Sequence, residues 1–293
     1  MDYRQLGVAG AFVSRIGLGT TSLATTGRVE AHRLLGAAVD AGINLVHVPG
    51  RATAATGEVL GEVLGSRRRD VVLATGLCSR PSRGPNATGQ SRLRVMQALE
   101  DSLRRLGTDH IDLYHVQGVD PCTPVEETLL ALDDAVHQGK VRYIACSGMA
   151  AWQVAKALGV SALHGLAGFA AVHVPYSPLG RTVERDLVPM AMAERLALVA
   201  HPGRFTAIGA TARVATRHGV TSTQVELAWL LGRDAVTSTI VDIAGPGDLA
   251  AALAAPRLVL TPADHAELDA VGALADADDA GIAVDPAPLA ETA

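Results

Sequence analysis

The feature that most constrains this chain is an alternation. Eight short apolar runs recur along it: "RIGLGT" (15–20), "INLVHV" (43–48), "DVVLATGLC" (70–78), "IDLYHV" (111–116), "VRYIACSG" (141–148), "GFAAVHV" (168–174), "LALVAH" (196–201) and "TSTIVDIAG" (237–245). Most are too short for stable helices and are rich in β-branched residues, so they read as strands. The stretches between them carry helical spacing. "GRVEAHRLLGAAVDAG" sets His32, Leu35, Gly36 and Val39 on one face and ends on Gly42, a C-cap residue. "GQSRLRVMQALEDSLRRLG" ends in the same way at Gly107. "TPVEETLLALDDAVHQG" predicts Thr123 as N-cap, Pro124 at the first helical position, Glu126 in the first turn and a stop at Gly139.

Eight strands joined by helices must run parallel, since a parallel pair needs a crossover connection. At this length the arrangement closes on itself as an α/β fold, the (β/α)8 TIM barrel. "YRQLG" and "AFVSRIG" are placed as an N-terminal β-hairpin beneath it. No linker divides the chain, so residues 1–293 are expected to form one domain. The acidic, Pro- and Ala-rich stretch from about 275 to 293 is expected to be a loose tail.

Composition narrows the function. Hydrophobic residues make up 48% of the chain and mean hydropathy is +0.24, enough for a full core. Net charge is −5, from 25 basic and 30 acidic residues, which excludes a general nucleic-acid binder. Cys78, Cys122 and Cys146 show no metal-ligand spacing, and so sparse a set fits a reducing compartment. "MDYRQLG" lacks the features of a signal peptide, and no apolar run reaches the roughly 18 residues of a membrane span. The expectation is a cytoplasmic protein with a small-molecule substrate and neither nucleic acid nor membrane as partner. Oligomeric state stays open.

From about residue 3 to residue 271 the chain resembles the aldo-keto reductases. "YRQLGVAGAFVSRIGLGT" is similar to the family's opening hairpin and first strand. "AGINLVHV", "LRRLGTDHIDLYHVQGVDP", "TPVEETLLALDDAVHQGKVRYIACSG", "GVTSTQVELAWLL" and "LVLTPADHAELDAV" resemble further family segments, in the same order. The resemblance implies the barrel. It also implies carbonyl reduction with NADPH by a tyrosine proton donor, assisted by a lysine, an aspartate and a histidine.

Each of those positions departs here. His47 stands for the aspartate, about Ala52 for the tyrosine, Gly76 for the lysine and Gln117 for the histidine. The chain has two lysines, Lys140 and Lys156, and neither lies near a strand's C-terminal end. Of the tyrosines, only Tyr176 follows such an end closely. The family's serine–asparagine pair for the nicotinamide is Ser147-Gly148, its glutamine is His173, and its stacking tyrosine is about Ala200. The phosphate-binding segment reads "DIAGPGDLAAALAA", with no basic residue. An anion at a helix start needs donors and positive charge, whereas Asp242 and Asp248 repel it. Losing about four hydrogen bonds to charged groups, at roughly 1.5–3 kcal/mol each, costs on the order of 10⁴ in affinity.

These departures lead to the expectation of no cofactor and of a non-redox reaction. Histidine acid–base catalysis would cyclise, dehydrate or isomerise a carbonyl-containing metabolite, in specialised metabolism. The alternative is a non-catalytic ligand- or partner-binding protein, and residual NADPH-dependent reduction ranks below both. His47, His173, Gln117 and His201 are the candidate catalytic residues, because strand ends carry the chemistry of this fold and imidazole titrates near neutrality. Ser147, Asp242, Tyr176, Cys78 and Arg80 are the candidate substrate contacts. A metal held by His47, His173, His201 and Asp242 is the lesser reading, since no local HxH or HExxH pair exists; the expected metal is none. His115, one layer below Gln117, is expected to be packed core.

Overall fold

The computed structural model describes residues 1–50, 54–77, 86–202 and 209–275. The expected tail therefore lies almost wholly outside the described residues. A short antiparallel hairpin opens the chain, β1 (Tyr3–Gln5) with β2 (Phe12–Ser14), in the register Tyr3↔Ser14. Then come β3 (Ile16–Gly19), α1 (Arg28–Asp40), β4 (Leu45–His47), α2 (Ala54–Leu64), β5 (Val72–Gly76), α3 (Arg92–Leu106), β6 (Ile111–Gln117) and α4 (Val125–His137). They are followed by β7 (Val141–Ser147), α5 (Ala151–His164), β8 (Phe169–Pro175), α6 (Leu187–Ala193), β9 (Ala197–His201), α7 (Gly209–His218), α8 (Ser222–Leu231) and β10 (Val236–Asp242). Two more helices follow, α9 (Pro246–Ala254) and α10 (Pro262–Ala275). Strands β3 to β10 pair in parallel and in sequence order, and β10 closes on β3. This is the (β/α)8 TIM barrel with an N-terminal hairpin, and all eight expected strands are present.

The hairpin is the barrel's floor. Leu6, Ala9 and Val13 are buried against the lower interior layer of Leu45, Leu113, Ala171, Ala197 and Ile240. Gly7 makes the fit possible. It has φ +59°, and a Cβ there would lie 2.4 Å from the Ala170 carbonyl oxygen. Arg4 fastens the hairpin by donating to the carbonyls of Asp234 (2.7 Å) and Val236 (2.9 Å).

Several helices stop where glycine permits a left-handed residue. Gly42, Gly107 and Gly139 all have positive φ and follow α1, α3 and α4. One expected cap is corrected. Pro124, in an extended conformation, is itself the N-cap of α4, and the helix begins at Val125. Thr123 lies outside and donates its hydroxyl to Asp120 (2.5 Å).

Two polar clusters tie α10 to α7 and α8. Asp264 of α10 is fully buried and accepts from the Thr261 amide (2.9 Å), the Thr261 hydroxyl (2.7 Å), His218 Nε2 (2.8 Å) and Arg217. Trp229 of α8 donates to Asp269 (2.9 Å), with the Arg233 guanidinium 4.0 Å over its ring. Among the described residues no helix is long and apolar enough to cross a membrane.

Candidate active site

Strand alternation fixes which side chains face the barrel axis. Because the period is two, His47 shares its strand face with Leu45, His115 with Leu113, His173 with Ala171 and His201 with Val199. The lower member of each pair belongs to the apolar interior, so the upper member projects inward nearer the C-terminal end. Register then brings the strands together. Gly19 stands opposite both His47 and Asp242, His115 lies between Gly76 and Ala145, and Ser147 lies between Gln117 and His173. The neighbours are small, which leaves the axis free for imidazole rings.

Four rings fill it. His47 and His173 have centroids 4.9 Å apart, His173 and His201 4.9 Å, His47 and His115 5.6 Å, and His115 and His173 5.7 Å. All four pairs meet edge to face. Both nitrogens of His115 and Nε2 of His173 are buried without a hydrogen-bond partner. Burial pushes His47 down to about 4, with Asp242 pulling upward and His201 adding to the fall. Burial, then His47, pushes His115 down to about 3. His173 is held well below the usual range by burial and by its three histidine neighbours. His201 is lowered by burial against the opposing pull of Asp242. At neutral pH the mouth therefore holds four uncharged imidazoles.

The sequence expectations divide. His47, His173 and His201 come together as anticipated. Asp242 sits at the same end, exposed, and accepts from the Thr21 amide (3.0 Å). Ser147 is half-buried between Gln117 and His173 in register, while Gln117 is an exposed rim residue. Tyr176 does not join them. Its ring packs edge-on against Trp229 and its hydroxyl donates to Glu184 (2.5 Å), so it faces the helix layer. Cys78 and Arg80 lie outside the described residues. His115 is buried, as its expected place in a packed layer requires. The inward face it shares with Gln117, with a glycine and an alanine as strand neighbours, also sets its ring against those of His47 and His173.

The family resemblance implies a nicotinamide dinucleotide, and the turn before α9 tests its phosphate end. Phosphate at a helix start needs free amides. Here the Asp248 carboxylate accepts from the amides of Ala244 and Gly245, both at 3.0 Å. Residues 242–256 contain no lysine or arginine. The described residues therefore do not fit the phosphate end of such a group. Segments 78–85 and 203–208, which follow β5 and β9 in the sequence, lie outside the described residues.

The aldo/keto reductase family model matches residues 15–203 and 201–273, nearly the whole barrel. The chain belongs to that family. It is similar to the uncharacterized oxidoreductase YrpG of Bacillus subtilis, with 36% identity over 213 residues, 68% of this chain and 65% of the relative. It is similar to the aldo-keto reductase YhdN of the same organism, with 30% identity over 204 residues, 67% of this chain and 60% of the relative. Protein tas of Escherichia coli is 27% identical over 337 residues, covering 92% of this chain and 97% of that protein. The chain thus spans about 60–65% of the length of the first two relatives.

These findings overturn the expectation of a cofactor-independent, non-redox cyclase, isomerase or lyase. Likeness to an oxidoreductase and to an aldo-keto reductase points to redox chemistry. The expectation weighed four lost side chains as the loss of a reaction class. A barrel-wide match to a reductase family outweighs it, because the positions that differ are a handful at one end of the barrel.

Proposed function

We propose that this chain is an oxidoreductase that interconverts small carbonyl compounds and alcohols at the C-terminal mouth of its barrel. The observation that carries the reading is the family match through residues 15–203 and 201–273. The relatives named as an oxidoreductase and an aldo-keto reductase support it, and so does a polar constellation at the end of the barrel where this fold keeps its chemistry.

On the substrate side the imidazoles take the part of the missing tyrosine and histidine. A neutral imidazole can donate its N–H to a carbonyl oxygen and polarise it without carrying full charge. His115 and His173 have unpartnered buried nitrogens available for this. The described residues do not fit the phosphate end of a dinucleotide, so the assigned roles stop at the substrate.

The test is nicotinamide absorbance with NADPH and with NADH across a panel of aldehydes, ketones and alcohols. Substrate-dependent turnover that falls at least about 10²-fold in His173→Ala supports the reading. Absence of turnover with either dinucleotide in both directions overturns it.

A further inference from the structure

We propose that His47, His115 and His173 form a binding site for a transition-metal ion of the zinc class, with three protein ligands and an open fourth position toward the mouth. The proposal goes beyond the reaction assigned above and shares His115 and His173 with it, so it is tested by ion binding and not by turnover.

The argument begins with a triangle. The three ring centroids are 5.6, 4.9 and 5.7 Å apart, so a point equidistant from them lies about 3.1 Å from each. A zinc-bound imidazole places its nitrogen about 2.0–2.1 Å from the ion and hence its ring centre about 3.2 Å away. The rings therefore stand at the radius that such an ion requires. An ion just outside the plane of the centroids satisfies all three and keeps one coordination position free, the pattern of a catalytic site.

The nitrogens are uncommitted. Both nitrogens of His115 and Nε2 of His173 are buried with no hydrogen-bond partner, a costly state unless a ligand completes it. Asp242, which acts electrostatically on His47 and His201, supplies negative charge near the site.

With the side chains as they stand, no three His, Cys, Asp or Glu among the described residues could hold a metal ion. The rings meet edge to face, with interplanar angles of 63–83°. Closing the site requires rotation of rings about their terminal side-chain torsions, while the strands stay in place. These torsions have broad wells, and the strand neighbours Ala74, Gly76 and Ala145 are small. An all-imidazole set selects zinc, copper, nickel or cobalt over magnesium and calcium.

The test uses the full chain stripped with chelator. Cobalt titration should give a ligand-field absorption that saturates at one ion per chain and is displaced by zinc. His115→Leu and His173→Leu should each weaken binding at least about 100-fold, while His110→Ala, at the opposite end of β6, should leave it unchanged. Zinc should raise the melting temperature of the wild type and of His110→Ala by mass action. Copper loaded into the wild type needs no variant: its electron paramagnetic resonance should show nitrogen coupling from imidazoles. No saturable cobalt band at micromolar ion, binding unchanged in folded His115→Leu and His173→Leu, or a copper spectrum of oxygen ligands alone would each overturn the proposal.

Discussion

Replacing Glu226 with glutamine should stabilise this protein, and by more as the pH rises. Glu226 lies on α8, a helix buried nearly all round: Val225, Leu227, Ala228, Trp229 and Leu230 are buried with it. Its own exposure is 8%, and its carboxyl has no hydrogen-bond partner among the described residues. Desolvation alone raises it from 4.5 to about 7. The folded state therefore binds more protons than the unfolded chain between those two values, and stability falls as pH rises through this window. Above pH 7 the ionised carboxylate costs about 3 kcal/mol; at pH 5, where the folded state is protonated and the unfolded chain largely ionised, the cost is about 1 kcal/mol. Glutamine mimics the protonated form at every pH. Glu226→Gln should thus gain about 3 kcal/mol at pH 8 and about 1 kcal/mol at pH 5, or roughly 6–12 °C in melting temperature at the higher pH. Urea denaturation of both proteins at pH 5, 6.5 and 8 measures this. If the gain is the same at all three, or if the variant is the less stable at pH 8, the account of Glu226 as an unpaired buried acid is wrong.

Three further outcomes follow from other sites. Gly76→Lys should not restore the missing lysine: a Cβ there would lie 2.6 Å from the His115 carbonyl oxygen and 2.8 Å from its Cβ. Even Gly76→Ala should lose about 1–3 kcal/mol in urea denaturation, and an unchanged midpoint would show that β5 and β6 part easily. Asp248→Ala frees the amides of Ala244 and Gly245 and should tighten inorganic phosphate and NADPH binding at least about 10-fold in calorimetry; equal affinity in both proteins would mean that Asp248 blocks nothing. Burial pushes Asp264 upward, but its bonds to Thr261, His218 and Arg217 more than offset this and hold it well below the ordinary range. Its contribution is therefore present above the unfolded carboxylate value near pH 4 and lost below it. Asp264→Asn should cost about 2 kcal/mol at pH 7 and flatten the acid limb, and an unaltered acid limb would refute that role.

The fold was legible because its signals are local and repeated. Most strand runs alternate with a helix that ends near a glycine, and Gly42, Gly107 and Gly139 take the left-handed conformations that their positions predicted. Thr123 misled because Pro124 fits either the cap or the first helical turn, and sequence alone does not say which. Tyr176 misled because a residue just past a strand can turn either to the mouth or to the helix layer. Trp229 and Glu184, distant or unremarked in sequence, decide that it turns outward.

The mouth was legible in part, for a reason that bears on what it does. Position along each strand predicted His47, His173 and His201 at one end, but the layer below was read as packing, so His115 was set aside. Whether a layer packs depends on its neighbours, and the neighbours of His115 in the sheet are Gly76 and Ala145. The glycine at 76 and the close approach of β6 go together: a Cβ at 76 would meet the backbone carbonyl oxygen and the Cβ of residue 115, so a side chain there requires the two strands to part whatever residue stands at 115. Restoring a lysine at 76 would therefore shift β6, and His115 with it, before it rebuilt the tetrad.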